Sequence, residues 1–158
     1  MILYRPMQEE DLDAVMQIER ACFTDYWSRE DMLRELRKPA QQAGYYVAED
    51  DGEVIGYAGF WQVLDEAQIT NVAVRADYRG QGIGLQLLQT LEQGFHKRGV
   101  SIVTLECRAG NTPALRLYQK AGFQEAGVRK RYYENPTEDA VIFIKQIASD
   151  VRSQTGNA

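Results

Sequence analysis

Arg79-Gly80-Gln81-Gly82-Ile83-Gly84 is the stretch on which the rest of the chain is read. Upstream, Ala67–Val74 is rich in β-branched residues and reads as a strand. Downstream, Ile83, Leu87, Leu88, Leu91 and Phe95 trace one apolar stripe of a helix that ends near Gly99, a residue suited to the position just past a helix terminus. A strand, a short turn and alternating glycines opening a helix leave several backbone N–H groups unpaired where the chain can curl closely around an anion. Two familiar phosphate motifs are excluded. Position 85 is leucine, so G-x-G-x-x-G fails, and no Gly-Lys-Ser/Thr follows, so the P-loop fails. Taken alone, the segment is also readable as a flexible turn.

Working outward, Tyr45–Glu49 and Val54–Val63 read as antiparallel partners of Ala67–Val74, with Asp51-Gly52 as the hairpin turn between the first two. Two helices are expected to open the chain. Leu12, Val15, Met16 and Ile18 mark the first, and Ser28 with Asp31, ahead of Met32, Leu33 and Leu36, starts the second. Beyond the glycines come a strand at Ser101–Cys107 and a helix capped by Asn111 or Thr112, with Pro113 in its first turn and Gly122 after its end. Phe123–Val128 and Ala140–Ile147 supply two last strands. This is a mixed α/β (α+β) layer architecture, expected as one domain over 1–148, with a flexible tail over 149–158.

A chain of 158 residues with 44% apolar content can bury a core without disulfides or metals. Cys22 and Cys107 are its only cysteines, and no start resembling a secretory signal precedes Gln8-Glu9-Glu10-Asp11, so a cytoplasmic setting is expected. The single histidine, His96, lies beside Lys97 and Arg98 and is expected to face solvent; no metal cluster is expected. No membrane span is expected either. A net charge of −5 argues against direct nucleic-acid binding and favours a basic protein or peptide as partner.

The residues together resemble a known family. Arg79 to Gly84 is similar to the Q/R-x-x-G-x-G/A motif of the GNAT superfamily of N-acetyltransferases, and Asn71-Val72-Ala73-Val74 before it and Asn111 with Leu115 to Phe123 after it follow the same order. Trp27-Ser28, Asp65-Glu66-Ala67, Leu105-Glu106, Arg108-Ala109-Gly110-Asn111 and Arg131-Tyr132-Tyr133 resemble its RimI-like branch, the ribosomal-protein alanine N-acetyltransferases. Roughly residues 1 to 147 take part. Tyr26 departs from the pattern, since that branch commonly has proline before Trp-Ser.

The resemblance implies a GNAT fold, a central, mostly antiparallel twisted sheet with helices on both faces. It implies acetyl-CoA as co-substrate, held by Val72, Ala73 and Val74, by Arg79, Gly80, Gln81, Gly82, Ile83 and Gly84, and by Asn111. Glu106 matches the branch's proton acceptor and Tyr118 its proton donor. On residues alone, Glu106 is a carboxylate in an otherwise apolar strand, open to a solvent-facing reading, and Tyr118 is open to core packing beside Leu115 and Phe123. Tyr26, Trp27, Tyr132 and Tyr133 are the expected acceptor wall, with simple hairpin packing the alternative for the two tyrosines. The implied reaction is acetyl transfer from acetyl-CoA to a protein N-terminal amine, specifically the N-terminal alanine of small-subunit ribosomal protein number eighteen. A lysine or small-molecule amine acceptor, or an acyl-CoA sensor without chemistry, stays open.

Overall fold

The chain opens on a strand, not on a helix: Ile2–Pro6 (β1) lies at the edge of a sheet in the computed structural model, which describes residues 1–147. Five residues ending in proline, on an edge that needs only one ladder, carry little of the alternation by which longer strands are recognised. β1 pairs antiparallel with Ala43–Asp50 (β2), from Ile2 opposite Asp50 to Pro6 opposite Tyr46. Next in space come Glu53–Val63 (β3) and Glu66–Val74 (β4), then Ile102–Arg108 (β5), Glu138–Gln146 (β7) and Gln124–Tyr133 (β6). The seven-stranded sheet is antiparallel throughout except between β4 and β5.

Leu12–Cys22 (α1) and Arg29–Leu36 (α2) cover one face, and Ile83–Arg98 (α3) and Thr112–Lys120 (α4) the other, giving two separate cores. In the first, Met16 and Met32 meet Val47 and Tyr57. In the second, the Leu87, Leu91 and Phe95 stripe of α3 is at most 2% exposed, and Phe95 meets Phe60 edge-on with centroids 4.8 Å apart. Burying such side chains contributes about 1.5–3 kcal/mol each, which is what holds α3 across the sheet. His96 is half-buried with an enclosed Nδ1, not solvent-facing as expected, because α3 lies over β2, β3 and β4 and its flank is covered too. The expected tail over 149–158 lies outside the described residues.

One irregularity shapes the middle of the sheet. Gly59 of β3 pairs with Asn71 of β4 and Phe60 with Ile69, so Thr70 is an extra, bulged residue. The bulge switches the strand's parity. Ala67 and Ile69 belong to the α3 side, yet Val72, three residues after Ile69, and Val74 are on that side too, while Asn71 reaches Glu19 of α1 and Ala73 joins the α1 core. A bulge also bends its strand and raises its twist. Here the bend falls where β4 and β5 part: they pair only over Glu66–Gln68 and Ile102–Thr104.

Candidate active site

Past Gln68, β4 keeps its ladder to β3 and β5 keeps its ladder to β7, but the edges that face each other lose contact. Between them opens a cleft of about 430 Å³, walled by Ile69, Thr70, Asn71 and Val72 on one side and by Leu105, Glu106, Cys107 and Arg108 on the other. α4 contributes Ala114 and Tyr118, with its N-cap Asn111; β6 contributes Tyr132 and Tyr133; the loop between α1 and α2 contributes Phe23 to Asp25 and Trp27. Glu106, Tyr118, Asn111, Val72, Trp27, Tyr132 and Tyr133, singled out from sequence, therefore share one cavity.

Tyr26 does not share it. Its ring is 51% exposed beneath the Arg20 guanidinium, 5.9 Å from the ring centroid. The reason is local: Trp27 N–H donates to Glu19 Oε2 at 2.9 Å and the Trp27 ring stacks on Trp61 at 6.3 Å, which turns Trp27 inward and its neighbour outward. Thr24 and Asp25, not Tyr26, are the polar residues that this loop adds to the lining.

The glycine-rich turn follows β4 and leads into α3, and, like Ala73 and Val74, it is not part of the cleft lining. Gly80 and Gly82 have φ of 79° and 81°, a left-handed conformation disfavoured for residues with a Cβ, and the space around both is open. Gly82 caps α3 with no side-chain hydrogen bond, and the first turn holds no acidic residue, so the helix presents its N–H groups and positive dipole end to whatever approaches. This suits a pyrophosphate. Arg79 turns back to donate to Val74 O at 3.1 Å and to Cys22 Sγ at 3.2 Å, and Arg75 is engaged by Asp77 and Glu53. Backbone donors, not a ring of basic side chains, are what this turn offers an anion.

On β5, residues alternate as expected. Cys107 is buried, and burial, with the Glu138 carboxylate adding to it, pushes its thiol up to about 11. Glu106 stays on the cleft side at 15% side-chain exposure, ion-paired to Arg129 Nε at 3.2 Å. The Glu106 carboxylate also acts as hydrogen-bond acceptor for Tyr132 and, with partial burial, raises that phenol. Tyr118 is buried against Phe123 and Phe143, with centroids 6.2 and 5.8 Å away. Burial, then the neighbouring Cys107 and Tyr133, raises its phenol well above the ordinary value of 10. Tyr118 packs in the core, as one of its two sequence readings expects, and also lines the cleft.

Asn111 accepts from Ala114 N at 3.3 Å, so Asn111 is the cap of α4. Just before it, Gly110 N donates to Glu138 Oε2 at 2.6 Å, and a Cβ at Gly110 would meet that same oxygen at 2.5 Å, so a side chain there would displace the Glu138 carboxylate. Arg108 ties β5 to the β6–β7 turn. It donates to the carbonyls of Glu134 and Pro136, pairs with Glu138 Oε1 at 3.3 Å and lies 4.5 Å over the Tyr133 ring, and it also reaches Asp25 at 3.5 Å across the mouth of the cleft.

Sequence reasoning passed over Glu19. Its side chain is 1% exposed and lines the cleft, accepting from Trp27 N–H, from Asn71 Nδ2 at 3.2 Å and from the Tyr57 hydroxyl. A signal was available: Glu19 falls three and four residues after Met16 and Val15, on the apolar stripe of α1.

The model of the acetyltransferase (GNAT) family matches residues 12–123. A Bacillus subtilis protein, provisionally named a [ribosomal protein bS18]-alanine N-acetyltransferase, is 41% identical over 138 residues, which is 87% of this chain and 91% of that one. The Escherichia coli K12 protein of that name is 34% identical over 144 residues, covering 90% and 95% of the two chains. The crystal structure of the E. coli ribosomal-protein-S18-alanine N-acetyltransferase superposes with a TM-score of 0.84 at 33% identity, over 94% of this chain and 95% of that one.

Proposed function

This chain belongs to the acetyltransferase (GNAT) family and is an acetyl-CoA-dependent N-acetyltransferase, and from that premise we propose that its acceptor is a protein N-terminal amine, the N-terminal alanine of ribosomal protein bS18. The acceptor is carried over from relatives that cover nearly the whole chain and bear that name. The observation that carries the reading is the cleft itself, in which a carboxylate, Glu106, and a phenol, Tyr118, line the gap between two splayed strands with aromatic walls at its mouth.

Acetyl-CoA supplies an acetyl group already activated as a thioester. The turn at Arg79 to Gly84 binds the pyrophosphate through backbone N–H groups, the free edge of Val72, Ala73 and Val74 offers peptide groups to the pantetheine arm, and Asn111 adds a side-chain amide. The acceptor amine must be neutral to attack. An N-terminal amine, with an ordinary pKa of about 7.7–8.0, is neutral in roughly a tenth of molecules at pH 7, whereas lysine, near 10.4, is neutral in fewer than about one in a thousand. Glu106 takes the amine's surplus proton, directly or through one water. Tyr118 keeps its own proton and donates a hydrogen bond to the departing sulfur, because its raised phenol makes full proton transfer uphill. Cys107, a thiol up at about 11, stays protonated at neutral pH, which favours direct transfer over an acetyl-cysteine relay. Trp27, Tyr132 and Tyr133 flank the acceptor.

The test is to incubate the protein with acetyl-CoA and three peptides, one with the N-terminal sequence of bS18, one N-terminally blocked with internal lysines, and one starting with a bulky residue. Thiol release and peptide mass are then followed. Acetylation confined to the first peptide's α-amine supports the reading; transfer to the blocked peptide overturns it.

A further inference from the structure

A carboxylate on the apolar stripe of a helix is unusual, since glutamate is seldom fully buried unless a cation pairs with it. Among the described residues Glu19 has no such partner. Its three donors, the Trp27 backbone, the Asn71 amide and the Tyr57 phenol, are all uncharged. A leucine at this position would pack equally well beside Met16 and Val15 but would hold nothing outside α1. The donors come from three places: the loop after α1, the bulged segment of β4, and β3. Two of those places line the cleft, Trp27 on the loop and Asn71 on the splayed strand, and the one carboxylate joins them.

We propose that Glu19 is a positioning residue for the acceptor, fixing Trp27 and its loop against Asn71 so that the cleft holds one width whether or not a peptide is present. The carboxylate acts at one remove: it is too buried to touch the peptide. Its oxygens divide the work. Oε2 holds Trp27 N–H, and Oε1 takes Asn71 and Tyr57. Among the described residues the Oδ1 of Asn71 is buried with no hydrogen-bond partner, so a glutamine at 19 has an acceptor available for its new N–H after a flip of the Asn71 amide, and the fold tolerates that change. The inference deepens the proposed acceptor reading and rests on it.

The experiment compares Glu19→Gln with Tyr57→Phe in the full chain, using the bS18 N-terminal peptide. Glu19→Gln weakens the bond to the loop and is expected to raise peptide KM about tenfold, with kcat and the acetyl-CoA KM within about twofold of wild type. Tyr57→Phe removes a donor from the same carboxylate without touching the loop, and is expected to lower the thermal midpoint while leaving peptide KM unchanged. Equal peptide KM in Glu19→Gln and wild type overturns the proposal, as does an equal rise in both variants. Hydrogen exchange over residues 23–28 supplies a second reading that needs no acceptor. Protection of this loop in free wild type, lost in Glu19→Gln, is expected; exchange at unfolded rates in free wild type overturns the proposal. If wild type turns over no peptide at all, the acceptor reading has failed, and loop exchange still decides whether Glu19 holds the wall.

Discussion

Replacing Glu106 with glutamine removes the proposed base and little else. The side chain is isosteric and only 15% exposed, and its charge partner Arg129 is 57% exposed, so the freed guanidinium turns to water. An ion pair of that kind contributes about 0–1 kcal/mol, and the thermal midpoint should move by only a few degrees. Turnover should fall much further. A positioned general base supplies typically about 10²- to 10⁴-fold, so kcat at pH 7 should drop by roughly that factor, with acetyl-CoA binding kept. The deficit should also depend on pH. Around pH 9 most of an acceptor α-amine is neutral without help, against roughly a tenth at pH 7, so the variant should recover about tenfold relative to wild type over that interval. Initial rates of thiol release at saturating acetyl-CoA and peptide, measured from pH 6.5 to 9.5, give both quantities. An undiminished rate at pH 7 would remove Glu106 from the reaction. A deficit of constant size across the range would refute the claim that its task is to take the ammonium proton.

Tyr118→Phe keeps the ring contacts to Phe123 and Phe143, so kcat should fall about ten- to a hundredfold with the thermal midpoint nearly unchanged; equal kcat would sink the hydrogen-bond role. Burial raises the Tyr118, Tyr57 and Tyr45 phenols above their unfolded value near 10, so their stabilisation is whole below about pH 10 and is lost as pH climbs beyond it. Thermal melts should therefore fall steeply on the alkaline side, and less steeply for Tyr118→Phe. Gln81→Glu adds a charge to the exposed cradle: the helix gains from its dipole, so the midpoint should hold or rise, while the acetyl-CoA KM should increase by roughly tenfold at low salt and less at high salt. An unchanged KM would mean that no pyrophosphate sits there. Cys107, buried and held up at about 11, should resist Ellman's reagent at pH 8 until the protein is unfolded, and Cys107→Ala should still transfer acetyl; an acetylated Cys107 in a quenched reaction would contradict direct transfer.

Elements with strong periodicity and clear punctuation were legible. α3 shows its stripe from Ile83 to Phe95 and closes at Gly99, and α4 carries a cap, a first-turn proline and a following glycine. The glycine turn was legible because its conformation, left-handed at Gly80 and Gly82, depends on which residues lack a Cβ. What escaped depends on partners distant in sequence. β1 is stabilised by β2 and hardly by its own pattern. Glu19 reads as an ordinary helical carboxylate until Trp27, Tyr57 and Asn71 are brought around it. Tyr26 was misplaced because which side chain of a loop turns inward is set by the stack of Trp27 on Trp61 and by Glu19, not by residue type. Arg108 was read as part of a motif, and only the folded chain reveals it as the tie between β5 and the β6–β7 turn.

The extra residue at Thr70 has a consequence for how such a chain tolerates change in length. Elsewhere in the sheet, losing one residue from a strand would merely throw its alternating faces out of step. Deleting Thr70 would do the reverse, bringing β4 into regular step with β3 with Ile69 still facing α3 and Asn71 still facing Glu19, and removing the bend that parts β4 from β5. The result would be a tidier sheet with no place to work, so the loss of one codon there should separate heritable folding from heritable activity.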